Sequence, residues 1–76
     1  MNTQNTAKVI ALVASVLNLP ESSVSPEASM ENLAQWDSLA HLSICLAFEE
    51  RFNVAMDMET IASSTSIAKL ASLLPD

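Results

Sequence analysis

The chain is 76 residues long, half of them apolar, and sets nine acidic side chains against Lys8, Arg51 and Lys69 for a net charge of −6. That length holds one domain, residues 1–76, which buries only about 60% of the surface its unfolded chain exposes, and the charge repels nucleic acid and anionic lipid while favouring basic protein partners. The absence of glycine excludes P-loops and dinucleotide-binding turns, where backbone must approach phosphate or take a positive φ; a lone Cys45 excludes an internal disulfide and points to a reducing cytoplasm.

Only Trp36, Phe48 and Phe52 are aromatic, so aliphatic side chains and alanine must fill the core, a composition that favours helices over sheets. From Ala7 to Leu17 the apolar residues Val9, Leu12, Val13, Val16 and Leu17 follow the three-and-four spacing of one helix face. The same run is too short to span a bilayer, which takes roughly 20 residues, and lacks the cationic leader and cleavage site of a signal peptide. Pro20 and Pro26, with Ser22, Ser23 and Ser25 among them, then break the periodicity. Leu19, Val24, Met30 and Leu33 supply anchors that tuck this long loop against a core, and a loop of that length marks function more often than slack.

Asp37 or Ser38 offers an N-cap oxygen to a second helix running from Ser38 to about Phe52 and ended by Asn53. A short third helix is expected around Asp57 to Ala62, with Asp57 capping it and Glu59 in its first turn. A last helix follows Thr65, where Ile67, Leu70, Leu73 and Leu74 form a stripe closed by Pro75. The expected fold is all-α: a small four-helix bundle of three longer helices and one short one, with a long loop between helices one and two.

At 100° per residue the second helix carries two apolar groups on roughly opposite faces. Ile44, Cys45, Phe48 and Phe52 form one. Leu39, Leu42 and Leu46 form the other, interleaved with Ser43, Glu49 and Glu50 and lying beside Ser38. A helix buried all round would have to bury Glu49 and Glu50 unpaired, which is expensive. A leucine patch rimmed by carboxylates is instead a docking surface, and the leucine stripe is read as outward.

Ser38 stands where a loop meets a helix start, and there the unpaired amides and the helix dipole favour an anion such as a phosphate ester. By itself a serine at that position reads as an N-cap. Asp37-Ser38-Leu39, followed by a helix containing Phe48-Glu49-Glu50-Arg51-Phe52, resembles the acyl carrier protein family over the whole chain. The resemblance implies a four-helix bundle with a short third helix, and a monomeric, non-catalytic carrier used in biosynthesis. It further implies that Ser38 receives 4′-phosphopantetheine from coenzyme A through a phosphopantetheinyl transferase. Asp37 is then the adjacent motif residue, and acyl or aminoacyl groups ride on the arm as thioesters. Leu39, Leu42, Leu46, Glu49, Glu50 and Trp36 become the face offered to the transferase, to a loading ligase or synthase and to downstream acyltransferases.

Gln35 and Trp36 stand where fatty-acid-type carriers tend to have glycine and a small residue, the spacing from Leu33 to Ser38 is one residue longer, and Ser43 replaces a usual acid. With His41 nearby, these features are closer to free-standing carriers of specialised pathways. Trp36 has a second role open to it, packing the loop against the bundle.

Rival chemistry has its own candidates. Asp37, His41 and Cys45 stand four apart and would line up on a helix, but zinc needs three or four protein ligands and no second His or Cys completes such a set. Ser38, His41 and Asp37 could mimic a nucleophile, base and orienting acid, yet on one exposed helix start they lack an oxyanion pocket. His41 turns toward Ile44 and Phe48 and reads as a partly buried, hydrogen-bonded side chain. Cys45 reads as a small hydrophobe, and Met30, Met56 and Met58 as gap-fillers. The other function class to weigh is an acidic helical adaptor in which Ser38 is an unmodified cap.

Overall fold

The computed structural model describes residues 3–75. It contains four α-helices in chain order: α1 (Thr3–Leu17), α2 (Ser38–Phe52), α3 (Met58–Ser63) and α4 (Ile67–Ser72), with one turn of 3-10 helix at Glu21–Ser23 in the long loop. The all-α bundle and its long first loop are as expected. The lengths differ in two places.

First, α1 starts at Thr3 rather than Ala7. The added turn is polar, so apolar periodicity cannot reveal it, but Asn5 is buried and its side-chain amide donates to the Pro75 carbonyl at 3.0 Å. That bond ties the beginning of the first helix to the segment that follows the last. Second, α4 has six residues and is as short as α3. Ser66 caps α4 by accepting from the Lys69 amide. Beyond Ser72 the chain continues in tight turns, Leu73 N–H to Leu70 and Leu74 N–H to Ala71, which still deliver Leu74 to the core. The apolar stripe therefore outlasts the helix.

α1 packs along both α2 and α4. The core takes Val9, Leu12 and Val13 from α1, Ile44, Cys45 and Phe48 from α2, and Ile67 and Leu70 from α4. Phe48 and Phe52 meet edge-on with ring centroids 5.0 Å apart, an arrangement that aligns ring edge with ring face. α3 contributes no buried residue.

The long loop is built rather than slack. Val24 and Ala28 are buried, while Leu19, Met30 and Leu33 pack partly against the core. Its strongest tether is a single antiparallel bridge between Ser29 and Ser66: Met30 N–H donates to the Thr65 carbonyl and Ile67 N–H to the Ala28 carbonyl, each at 3.0 Å. The second of these satisfies an amide at the start of α4 that no intrahelical acceptor could reach. Within the loop, the Asn32 side chain accepts from Ser29 N–H and donates to the Glu27 carbonyl, closing a local turn.

Asp57 caps α3 as expected, its carboxylate accepting from the Thr60 amide at 2.8 Å. That bond, made to the ionised form, lowers the carboxyl pKa below 3.8.

Without glycine, the two long helices must end on another residue able to take left-handed backbone. Asparagine does so at both. Asn18 has φ 58° and Asn53 φ 56°. After α1 the Asn18 amide donates to Ser15 and the Leu19 amide to Ala14, the paired bonds of a Schellman ending. We expect Asn53→Ala to lower stability by about 1 kcal/mol, since alanine pays the left-handed penalty that asparagine largely escapes, and Asn53→Gly to cost nothing. Urea unfolding followed by helical ellipticity would separate the two substitutions.

Candidate functional site

The turn into α2 is assembled from the backbone outward. Trp36 N–H donates to the Leu33 carbonyl, and His41 N–H to the Asp37 carbonyl, which closes the first helical turn. The cap is Asp37, not Ser38: its backbone is extended and its Oδ1 accepts from the Ala40 amide at 2.8 Å. Ser38 follows as the first helical residue. It is exposed, and its hydroxyl makes no hydrogen bond to any described residue. The Ser38 and Leu39 amides lie at the positive end of a 15-residue helix without partners among the described residues.

Along α2 the two apolar groups separate. Ile44, Cys45 and Phe48 are buried. Leu39 is 78% exposed, Leu42 50% and Leu46 66%, so the leucine stripe faces outward and starts next to Ser38. Glu50 is exposed on the same side. Glu49 is half-buried, and one of its carboxylate oxygens reaches the Met56 amide at 3.4 Å, so it also holds the segment after α2.

Trp36, expected on the docking face, does not belong to it. Only 1% of its surface is exposed, and the indole is consumed by the interior. Its Nε1–H donates to His41 Nδ1 at 3.0 Å, with ring centroids 5.9 Å apart. His41 Nε2 in turn lies 2.7 Å from the Ile61 carbonyl of α3. A carbonyl only accepts, so Nε2 carries the proton and the imidazole is neutral in that one tautomer. A buried indole must find an acceptor, and His41 is the one imidazole in the chain; that was the available signal for the pairing. The Ile61 carbonyl, being backbone, left none.

This arrangement also disposes of the rival geometries. Both His41 ring nitrogens are engaged, and the Asp37 carboxylate is turned to Ala40, so neither is directed at Ser38. Cys45 Sγ sits 3.5 Å from His41 Nε2, but its thiol is pushed up to about 11, chiefly by burial and secondarily by the negative charge of Glu49. A neutral thiol beside a protonated nitrogen is no activated pair. Among the described residues no three His, Cys, Asp or Glu side chains gather in a metal-binding group. Met56 is buried and Met30 half-buried as gap-fillers, whereas Met58 is 86% exposed and fills nothing.

What remains is a helix start that displays one unengaged hydroxyl, beside an apolar stripe, on a small acidic bundle. The family model described as the phosphopantetheine attachment site matches residues 7–74, nearly the whole chain. The chain belongs to this family. Its members hold 4′-phosphopantetheine covalently, are modified by a phosphopantetheinyl transferase, and serve as non-catalytic carriers. An exposed, uncommitted hydroxyl at Ser38, beside two helix amides without partners among the described residues, is chemically suited to such a phosphodiester. No helix among the described residues is long and apolar enough to cross a membrane.

The buried thiol gives a direct check on the packing of α2. Alkylation of Cys45 by iodoacetamide at about pH 8 should run about a hundredfold slower in the folded protein than in denaturant, because thiolate is the reactive form. Equal rates would place the thiol at the surface.

Proposed function

We propose that this protein is a carrier of acyl or aminoacyl intermediates in which Ser38 is the covalent attachment point. The observation that carries this reading is the division of labour at the α2 start. Asp37 does the capping, so the Ser38 hydroxyl is exposed and uncommitted. In the attachment reaction the Ser38 oxygen attacks the pyrophosphate of coenzyme A: the Oγ–P bond forms, the phosphoanhydride P–O bond breaks, the adenosine bisphosphate leaves, and the hydroxyl proton passes to the transferase. The arm then supplies the thiol on which cargo is held as a thioester.

Docking is assigned to the outward stripe of α2. Leu39, Leu42 and Leu46 supply the apolar area, and Glu50, with Glu49 at the edge, supplies charges for basic patches on partners. Exposed ion pairs of this kind add little affinity but speed encounter and fix orientation, which suits a carrier that must leave each enzyme quickly. Gln35, Trp36 and Ser43 favour a specialised-pathway carrier, cytoplasmic and monomeric, over a general fatty-acid carrier. The adaptor reading takes Ser38 as an unmodified cap; that the capping side chain is Asp37 supports the carrier reading over it.

Incubation with coenzyme A and a broad-specificity phosphopantetheinyl transferase, followed by intact mass measurement, should add one phosphopantetheine to the native chain and none to Ser38→Ala. An unmodified native chain would sink the proposal. A gain retained in Ser38→Ala would move the site elsewhere.

Leu42→Arg places a cation in the middle of the docking stripe. Its melting transition should stay within about 0.5 kcal/mol of the parent, as for a surface change, while modification slows at least about tenfold. Loss of the transition would mean that Leu42 is core.

A further inference from the structure

The hydrogen bonds around His41 join three segments of the chain. Trp36 belongs to the end of the long loop, His41 to the first turns of α2, and Ile61 to α3, which buries no residue of its own. The imidazole is 5% exposed. It sits one turn beyond Ser38, and its backbone amide closes the turn on the Asp37 carbonyl. One residue thus fixes both the segment that precedes the serine and the short helix across from it.

The polarity of this relay has only one arrangement. Trp36 can only donate and the Ile61 carbonyl can only accept, so His41 must accept at Nδ1 and donate at Nε2. Adding a proton at Nδ1 sets two N–H groups against each other in a buried space. The indole then loses its acceptor, and the cheapest relief is to swing Trp36, and the turn before Ser38, away from the ring.

We propose that His41 is a positioning residue for modification of Ser38, whose neutral imidazole locks the Trp36–Asp37–Ser38 turn to α3 and whose protonation releases it. The proposal rests on Ser38 being the attachment point. Among the described residues no side-chain carboxylate or cation hydrogen-bonds to the ring. Cys45 faces it as a neutral thiol, and Asp37 is held by Ala40. Glu49 sits two turns further along α2 and acts on Cys45. Asp57 at the cap of α3, Glu59 within it, Lys8 of α1 and Lys69 of α4 are exposed. The charge of the ring is therefore set against hydrogen-bond geometry and not against an ion pair.

Trp36 is the only tryptophan in the chain, so its emission reports the relay directly. On acidification from about pH 8 to about pH 5, native emission should pass through one transition as the indole loses its acceptor. That transition should be absent in His41→Asn, whose amide oxygen can still accept from the indole but does not titrate.

Transferase kinetics on the full-length proteins supply the second arm. The ratio of native to His41→Asn rates cancels the pH profile of the transferase itself. It should fall at least about threefold across the same pH span, following the emission. At the alkaline end His41→Phe should lose about tenfold in kcat with KM nearly unchanged, because the leucine face is untouched, and His41→Asn should recover much of that loss. Folding of each variant is read from helical ellipticity; if His41→Phe does not fold, the native and His41→Asn comparison decides alone.

Emission that is flat with pH, or identical in the native protein and His41→Asn, overturns the relay. A modified protein whose rate ratio is constant with pH overturns the positioning role alone. Absence of modification in every form overturns the attachment reading and the positioning role with it, and the emission transition then still tells whether the relay exists.

Discussion

Because the Asp37 carboxylate takes the Ala40 amide, the Ser38 hydroxyl is relieved of the work that a serine at a helix start usually performs. The remaining features of the site follow from that bond. It fixes where α2 begins, which places Ser38 at the first helical position with its side chain in solvent. Residue spacing then places Leu39, Leu42 and Leu46 on the exposed side and Ile44, Cys45 and Phe48 on the buried one. The cap is worth only about 1 kcal/mol by itself; its larger effect is to define where α2 begins.

A domain this small cannot hold every segment by apolar burial, and the structure uses buried hydrogen bonds where packing is thin. α3 is attached through the His41–Ile61 bond and partial packing of Ile61, not through a buried side chain. The long loop is tied to α4 by two backbone bonds flanking Ser29 and Ser66, and α1 is tied to the chain end through Asn5 and Pro75. Buried side-chain polar atoms without a partner are absent among the described residues. That matters energetically, because an orphaned buried donor costs about 1–3 kcal/mol, a large share of the stability of a domain of this size.

Much of this was legible in the sequence, for reasons that can be assigned. Helical periodicity in Val9–Leu17, Ile44–Phe52 and Ile67–Leu74 reports which side chains are buried, and burial drives the fold, so three helices and the core faces were readable. Asp57 announces α3 through capping chemistry alone. What was not readable depends on polar groups whose partners are distant in sequence. Thr3–Thr6 carries no apolar signal, and only the fold brings Asn5 to Pro75. Trp36 was ambiguous between docking and packing, because indoles serve both ends; its acceptor, His41, decided for the interior. The Glu49 carboxylate looked like a surface charge until the segment after α2 folded back beneath it. The length of α4 was overestimated because tight turns at Leu73 and Leu74 present the same stripe as a helix would.

The leucine stripe remains the feature that stability cannot explain. Burying a leucine side chain gains about 1.5–3 kcal/mol, and three of them on one face forgo that gain in a domain with little core to spare. Scattered exposed leucines are ordinary, but these three share one face of one helix. That face begins at the residue after an uncommitted hydroxyl and ends beside an exposed carboxylate. Meanwhile the opposite face of the same helix is packed with Ile44, Cys45 and Phe48, so the exposure is not a failure of the core to accept apolar side chains. A polar stripe would serve folding equally well and solubility better. The apolar one is intelligible if its burial is completed by a partner, and a partner bound there is brought directly alongside Ser38.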